Sequence, residues 1–197
     1  MKIGFFDSGI GGLTVLHRAM KEMCGEFIYY ADTDNVPYGE KSKEEIRVLS
    51  DNAVSFLKEQ GAKVIVIACN TATSAAAGVL REKYSFPIIG MEPAVKPAIT
   101  DARGKRVLVT ATPLTIKEDK LKRLIASQNA QDKVDLLPLP KLVGFAENLE
   151  FSSSAAEDYL REKLAAFDLT VYSKVVLGCT HFNYFKDSFK ALLPDDV

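Results

Sequence analysis

The chain has 197 residues, 47% of them apolar, and a formal net charge of −1. That is enough apolar chain for one large domain or two small ones with real cores. The balanced charge leaves no basic face for nucleic acid, and no segment nears the roughly 20 apolar residues that cross a bilayer. A small-molecule substrate is therefore expected, with neither nucleic acid nor membrane as partner. The apolar start KIGFF is too short for a signal-peptide core, so a cytoplasmic protein is expected. Its three cysteines, Cys24, Cys69 and Cys179, show no CxxC spacing and read as free thiols in a reducing compartment.

Residues 3–6 read as a first strand ending in DSGIGG (7–12), whose glycines permit a tight turn. The loop lacks the third glycine of a dinucleotide fingerprint and the Gly-Lys-Ser/Thr of a P-loop, and no cofactor motif is visible elsewhere. What it presents is Asp7 and Ser8 at a strand's carboxyl end, although Asp7 also reads as a simple helix cap. Residues 13–23 carry a helical period. Next come a strand at 27–31, a polar loop at 32–39 ending Val-Pro-Tyr-Gly, and a helix to about residue 60 opened by a Ser42/Glu45 capping box. His17 and Cys24 have no polar company and read as structural.

The stretch KVIVIACNTAT (63–73) organises the first half. Its β-branched run suits a strand buried on both faces, and Cys69 leaves that strand just before an Ala-rich helix. Open α/β sheets bind ligands at such strand ends, and a helix N-terminus favours a thiolate. A fourth strand follows at 86–90. Met91, Glu92, Pro93 and Pro97 then break the pattern, which places a boundary between lobes at 1–93 and 94–197.

The second half repeats the scheme. Residues 107–109 read as a strand, and Thr112-Pro113 as a helix start. A strand is expected at 133–137, followed by a helix capped by Ser154 and Glu157. KVVLGCTHF (174–182) then puts Cys179 in the position that matches Cys69, before a closing helix at 182–193. The fold expected is α/β: two similar layered lobes with largely parallel sheets, related by a pseudo-twofold, with the active site in the cleft between them.

A lone cysteine after a strand is usually core filler. Two of them, each followed at once by hydroxyl or amide side chains, point instead to a reactive pair. Two acid–base groups on opposite faces of a carbon can invert it, whereas a single base returns a proton to the side it came from. Each thiol needs a neighbour to take its proton, because a free thiol is only slightly ionised at neutral pH. Asp7 could serve Cys69, and His181 could serve or orient Cys179.

DSGIGGL (7–13), VPYG (36–39), ACNTAT (68–73) and GCTH (178–181) together resemble the glutamate racemase family, along nearly the whole chain. The resemblance implies cofactor-independent inversion of L- and D-glutamate, supplying D-glutamate for the bacterial cell wall. It makes Cys69 and Cys179 the catalytic acid–bases, Cys69 acting on D-glutamate and Cys179 on L-glutamate, with Asp7 and His181 assisting. Glu147, which by itself reads as a helix-surface glutamate, matches the acid placed beside that histidine. Substrate contacts carry over to Ser8, Tyr38, Gly39, Asn70, Thr71, Thr112, Thr115 and Thr180. No metal is implied. The oligomeric state stays open, with a homodimer as one form.

Two features depart from the family pattern. Phe182-Asn183-Tyr184 stands where Tyr-Pro-Leu is usual, and the tail that returns to the first lobe is expected to be absent after Asp195-Asp196-Val197. Competing readings are a racemase for aspartate or another amino acid, an inactive binding form, and a metal protein using Cys69, Cys179, His181 and Asp7.

Overall fold

The computed structural model describes residues 1–197. Its chain divides into two units, Met1–Glu92 and Pro93–Val197. The first runs β1 (Lys2–Asp7), α1 (Leu13–Glu22), β2 (Glu26–Ala31), α2 (Lys43–Glu59), β3 (Val64–Ile67), α3 (Asn70–Lys83) and β4 (Ile88–Gly90). Its four strands lie in the order β2-β1-β3-β4, and every pairing is parallel. Ile3, Phe5 and Phe6 of β1, Ile65 and Ile67 of β3, and Ile46, Val54 and Leu57 of α2 are all buried. Each such side chain taken from water contributes about 1.5–3 kcal/mol. β3 is less enclosed than its composition suggests, since Val64 and Val66 are only half-buried. At one edge β2 is half-buried, and α1 buries no residue fully, so Leu13, Met20 and Met23 are exposed. His17 and Cys24, read as structural, are exposed as well.

The second unit runs α4 (Val95–Asp101), β5 (Arg106–Ala111), α5 (Pro113–Lys117), α6 (Asp119–Ser127), β6 (Val134–Pro138), α7 (Lys141–Glu147), α8 (Ser154–Leu164), β7 (Tyr172–Leu177) and α9 (Lys186–Leu192). Its sheet is β6-β5-β7, again parallel throughout. Val107, Val109 and Val176 from the sheet pack against Val95 and Ala98 of α4 and Leu121 and Ile125 of α6.

Four local expectations are corrected. Pro97 does not end the pattern but lies in the first turn of α4, where its missing N–H would have had no partner anyway. Helix α6 was not anticipated; a single extended residue, Glu118, separates it from α5. The cap of α8 is Ser153, which accepts the Ala156 N–H at 3.2 Å, and not the Ser154/Glu157 pair. The closing helix expected at 182–193 is a 3-10 segment, Thr180–Phe185, that turns into the short α9.

In both units the strand order reverses beside the first strand. From β1 the chain moves outward to β2 and returns on the other side as β3; from β5 it moves to β6 and returns as β7. Such reversals leave a crevice at the carboxyl ends of the two strands, where loops part to either side. Asp7 ends β1 and Cys69 follows β3; Thr112 follows β5 and Cys179 follows β7. The chemistry-bearing residues therefore cluster where topology opens the sheet.

Candidate active site

In the first unit Asp7 is fully buried and its Oδ1 accepts the Gly9 N–H at 3.1 Å. The Gly9 carbonyl in turn accepts the Tyr29 hydroxyl at 2.6 Å, tying the loop to β2. A Cβ on Gly12 would lie 2.7 Å from Asp7 Cβ and 2.8 Å from Tyr29 Oη, so the loop needs glycine there to close over the acid. Cys69 is buried and caps α3: its Sγ accepts the Ala72 N–H at 3.4 Å and lies 3.8 Å from Ser8 Oγ. An accepting sulfur at a 14-residue helix's N-terminus is in a setting that stabilises thiolate.

The residues around Cys69 are equally enclosed. Thr71 is buried, and Asn70 Oδ1 is a buried acceptor with no protein partner. Such an atom costs free energy unless a ligand or water donates to it. Thr73 is structural: its hydroxyl donates to the Ile67 carbonyl at 3.2 Å and accepts the Met91 N–H at 3.1 Å. Tyr38 and Gly39 are buried in a 3-10 turn, Tyr38–Glu40, and the Tyr38 hydroxyl donates to Asp32 Oδ2 at 2.6 Å. Burial first, then Asp32, holds the Tyr38 phenol well above its usual range, with the nearby Cys69 sulfur adding to the effect.

In the second unit Cys179 is buried with its Sγ 3.7 Å from His181 Nδ1. His181 is 1% exposed, and its Nε2 meets Glu147 Oε1 at 2.5 Å. Glu147 sits at the end of α7, largely enclosed, so it is not the helix-surface glutamate that its local sequence suggests. Its carboxylate keeps the proton of a neutral imidazole on Nε2, which leaves the Nδ1 lone pair facing sulfur. Thr112 caps α5, accepting the Thr115 N–H at 3.3 Å and donating to Thr115 Oγ1 at 2.9 Å; Thr180 is also buried. Gly178 donates its N–H to the Thr110 carbonyl at 2.7 Å, and a Cβ there would be 2.5 Å from that oxygen.

The two cysteines thus stand at matching places in the topology but in different surroundings. Cys69 opens a long α-helix, whereas Cys179 precedes a six-residue 3-10 segment and has an imidazole beside it instead. Sequence reading brought out neither Asp32 nor Tyr29. The only local hint of Asp32 is an acid directly after a strand with Asn35 three residues on.

The model of the Asp/Glu/Hydantoin racemase family matches residues 14–197. A glutamate racemase of Lachnospira eligens is 60% identical over 100% of this chain and 76% of its own length. Among solved structures, glutamate racemase from Campylobacter jejuni superposes with a TM-score of 0.88 at 32% identity, over 100% of this chain and 79% of that one. The Escherichia coli glutamate racemase, solved with L-glutamate and the activator UDP-MurNAc-ala, gives 0.88 at 31% identity, over 99% and 75%. Matching motifs, parallel sheets and coverage of the whole chain converge: this chain belongs to the glutamate racemase family, within the aspartate, glutamate and hydantoin racemases.

Proposed function

We propose that this chain interconverts L- and D-glutamate without a cofactor, by proton transfer at the α-carbon between two thiols. One observation carries the reading: each unit presents a buried cysteine just past the strand end where its sheet order reverses, Cys69 accepting the Ala72 N–H and Cys179 lying beside His181 Nδ1. One cysteine, as thiolate, removes the α-proton and becomes a thiol. The other, as thiol, donates its proton to the opposite face and becomes the thiolate. No electrons are exchanged, and the carbon inverts. Cys69 is the base toward D-glutamate and Cys179 toward L-glutamate, so both sulfurs must flank one α-carbon during turnover.

Asp7 assists Cys69, and His181 takes or returns the Cys179 proton through Nδ1 while Glu147 orients it. Ser8, Tyr38, Gly39, Asn70, Thr71, Thr112, Thr115 and Thr180 hold the substrate. None is cationic, so hydroxyls and backbone N–H groups must carry the carboxylates and the charge that spreads onto the α-carboxylate as the proton leaves. The orphan acceptor Asn70 Oδ1 suits the substrate ammonium, which supplies donors only. The setting we infer is cytoplasmic, and the product D-glutamate serves peptidoglycan synthesis.

The test is polarimetry on L- and D-glutamate and on both aspartate enantiomers with no cofactor added. Turnover of glutamate from either side, with equal kcat/KM because the equilibrium constant is one, is the expected result. Preferential turnover of aspartate, or none of glutamate, contradicts the reading.

A further inference from the structure

We infer that Asp32 is a positioning residue for the Cys69 half of the reaction, holding Tyr38 and, through it, the 3-10 turn that packs on the helix Cys69 caps. The inference rests on the racemase reading above. Asp32 follows β2 and is 8% exposed. Its Oδ2 accepts the Tyr38 hydroxyl at 2.6 Å, its Oδ1 accepts Asn35 Nδ2 at 2.9 Å, and its backbone N–H donates to the Asp7 carbonyl at 3.1 Å. Both side-chain donors are neutral. A buried carboxylate held that way is costly for fold stability alone, since apolar packing would serve better.

What the carboxylate does is join two sides of one crevice. Through its backbone it is bonded to the end of β1, where Asp7 and Ser8 sit. Through its side chain it fixes Tyr38, which is 1% exposed and packs on Phe6 with ring centroids 6.1 Å apart. The turn Tyr38–Glu40 lies against α3. A shift of Tyr38 is therefore transmitted to the segment that sets Cys69, and misplacement of a reacting group by about 1 Å can cost on the order of 10²-fold in rate.

The experiment measures α-deuterium isotope effects on kcat/KM from both enantiomers, for the wild-type chain, Asp32→Asn, Tyr38→Phe and the double variant. Tyr38→Phe keeps the buried ring and removes only the hydroxyl, so it serves if Asp32→Asn folds poorly. Because the equilibrium constant is one, any loss of kcat/KM is equal in the two directions; about tenfold to a hundredfold is expected. A slower Cys69 transfer raises the isotope effect from the enantiomer that Cys69 deprotonates, D-glutamate. From the other enantiomer, where Cys69 only delivers the second proton, the isotope effect falls. The double variant should lose no more than Asp32→Asn alone. Isotope effects that stay at wild-type values, with or without lower activity, overturn the role of Asp32 and leave racemisation standing. A wild-type chain that racemises nothing overturns the racemase reading and this role together.

Discussion

Cys69 and Cys179 occupy matching places in sequence and topology, yet their neighbours differ. Cys69 has a helix N-terminus, with the Ala72 N–H at 3.4 Å; Cys179 has His181 Nδ1 at 3.7 Å, backed by Glu147 at 2.5 Å. General acid–base help of this kind is worth about 10²–10⁴-fold. His181→Asn should therefore lower kcat by about that factor. Glu147→Gln keeps the shape but weakens the hold on Nε2, and should cost about tenfold. If Glu147 works through His181, adding Glu147→Gln to His181→Asn changes kcat no further, which steady-state kinetics on the four proteins will show. Additive losses contradict that order of action. The pairing was not legible locally: Glu147 lies 34 residues before His181 in the sequence, and only the packing of α7 beside the 3-10 segment joins them.

At the scale of elements, β5, β6 and β7 are joined by a side-chain cluster as well as by their ladders. Arg106 Nε and Nη2 each donate to Asp135 at 2.7 Å, and the Tyr172 hydroxyl donates to the same carboxylate at 2.6 Å. Arg106 above all holds the Asp135 carboxyl below its usual range; burial opposes it, and Tyr172 adds a smaller lowering. Burial, then Asp135, pushes Tyr172 up to about 12. The signs follow from linkage. A depressed carboxylate pKa adds stability above about pH 4 and loses it as pH falls through the folded value. A raised phenol pKa adds stability below about pH 10 and loses it as pH climbs toward about 12. Asp135→Asn should lower Tm at pH 7, with the gap from wild type narrowing below about pH 4; a gap that stays constant contradicts the linkage.

Turns and caps give sharper tests. Gly178→Ala sets a methyl against the Thr110 carbonyl and must part β5 from β7, costing about 1–3 kcal/mol in denaturant unfolding. Ser42 and Glu45 form a full capping box, so Ser42→Ala should cost about 1 kcal/mol while leaving turnover intact. That box was plain in the sequence, because a cap is decided by four adjacent residues. The Ser152-Ser153-Ser154 run offers three equivalent caps, and only packing of α8 selects the middle one. Helix α6 has its period in Leu121 and Ile125, but neither Pro nor Gly marks the break at Glu118 that separates it from α5. The 3-10 segment after Cys179 was missed for the opposite reason. Phe182 and Phe185 are buried and carry a helical spacing that does not distinguish 3-10 from α over so short a span.

Across the whole molecule, one plan is used twice: a central strand, an outward partner, and a returning strand on the other side that delivers a cysteine. The repetition was legible in the sequence because the apolar runs, the polar residues after each strand and the repeated cysteine follow strand periodicity and end placement; the strand order, set by long-range pairing, was not. In the two-thiol reaction proposed above, both cysteines act on one carbon from opposite faces. Its most direct measurement is racemisation and α-hydrogen exchange of D- and L-glutamate in deuterated water, comparing the wild-type chain with Cys69→Ser and Cys179→Ser. Wild type should invert both enantiomers with deuterium appearing in the product, and each variant should lose inversion. Near-normal racemisation by both variants would contradict the two-thiol mechanism.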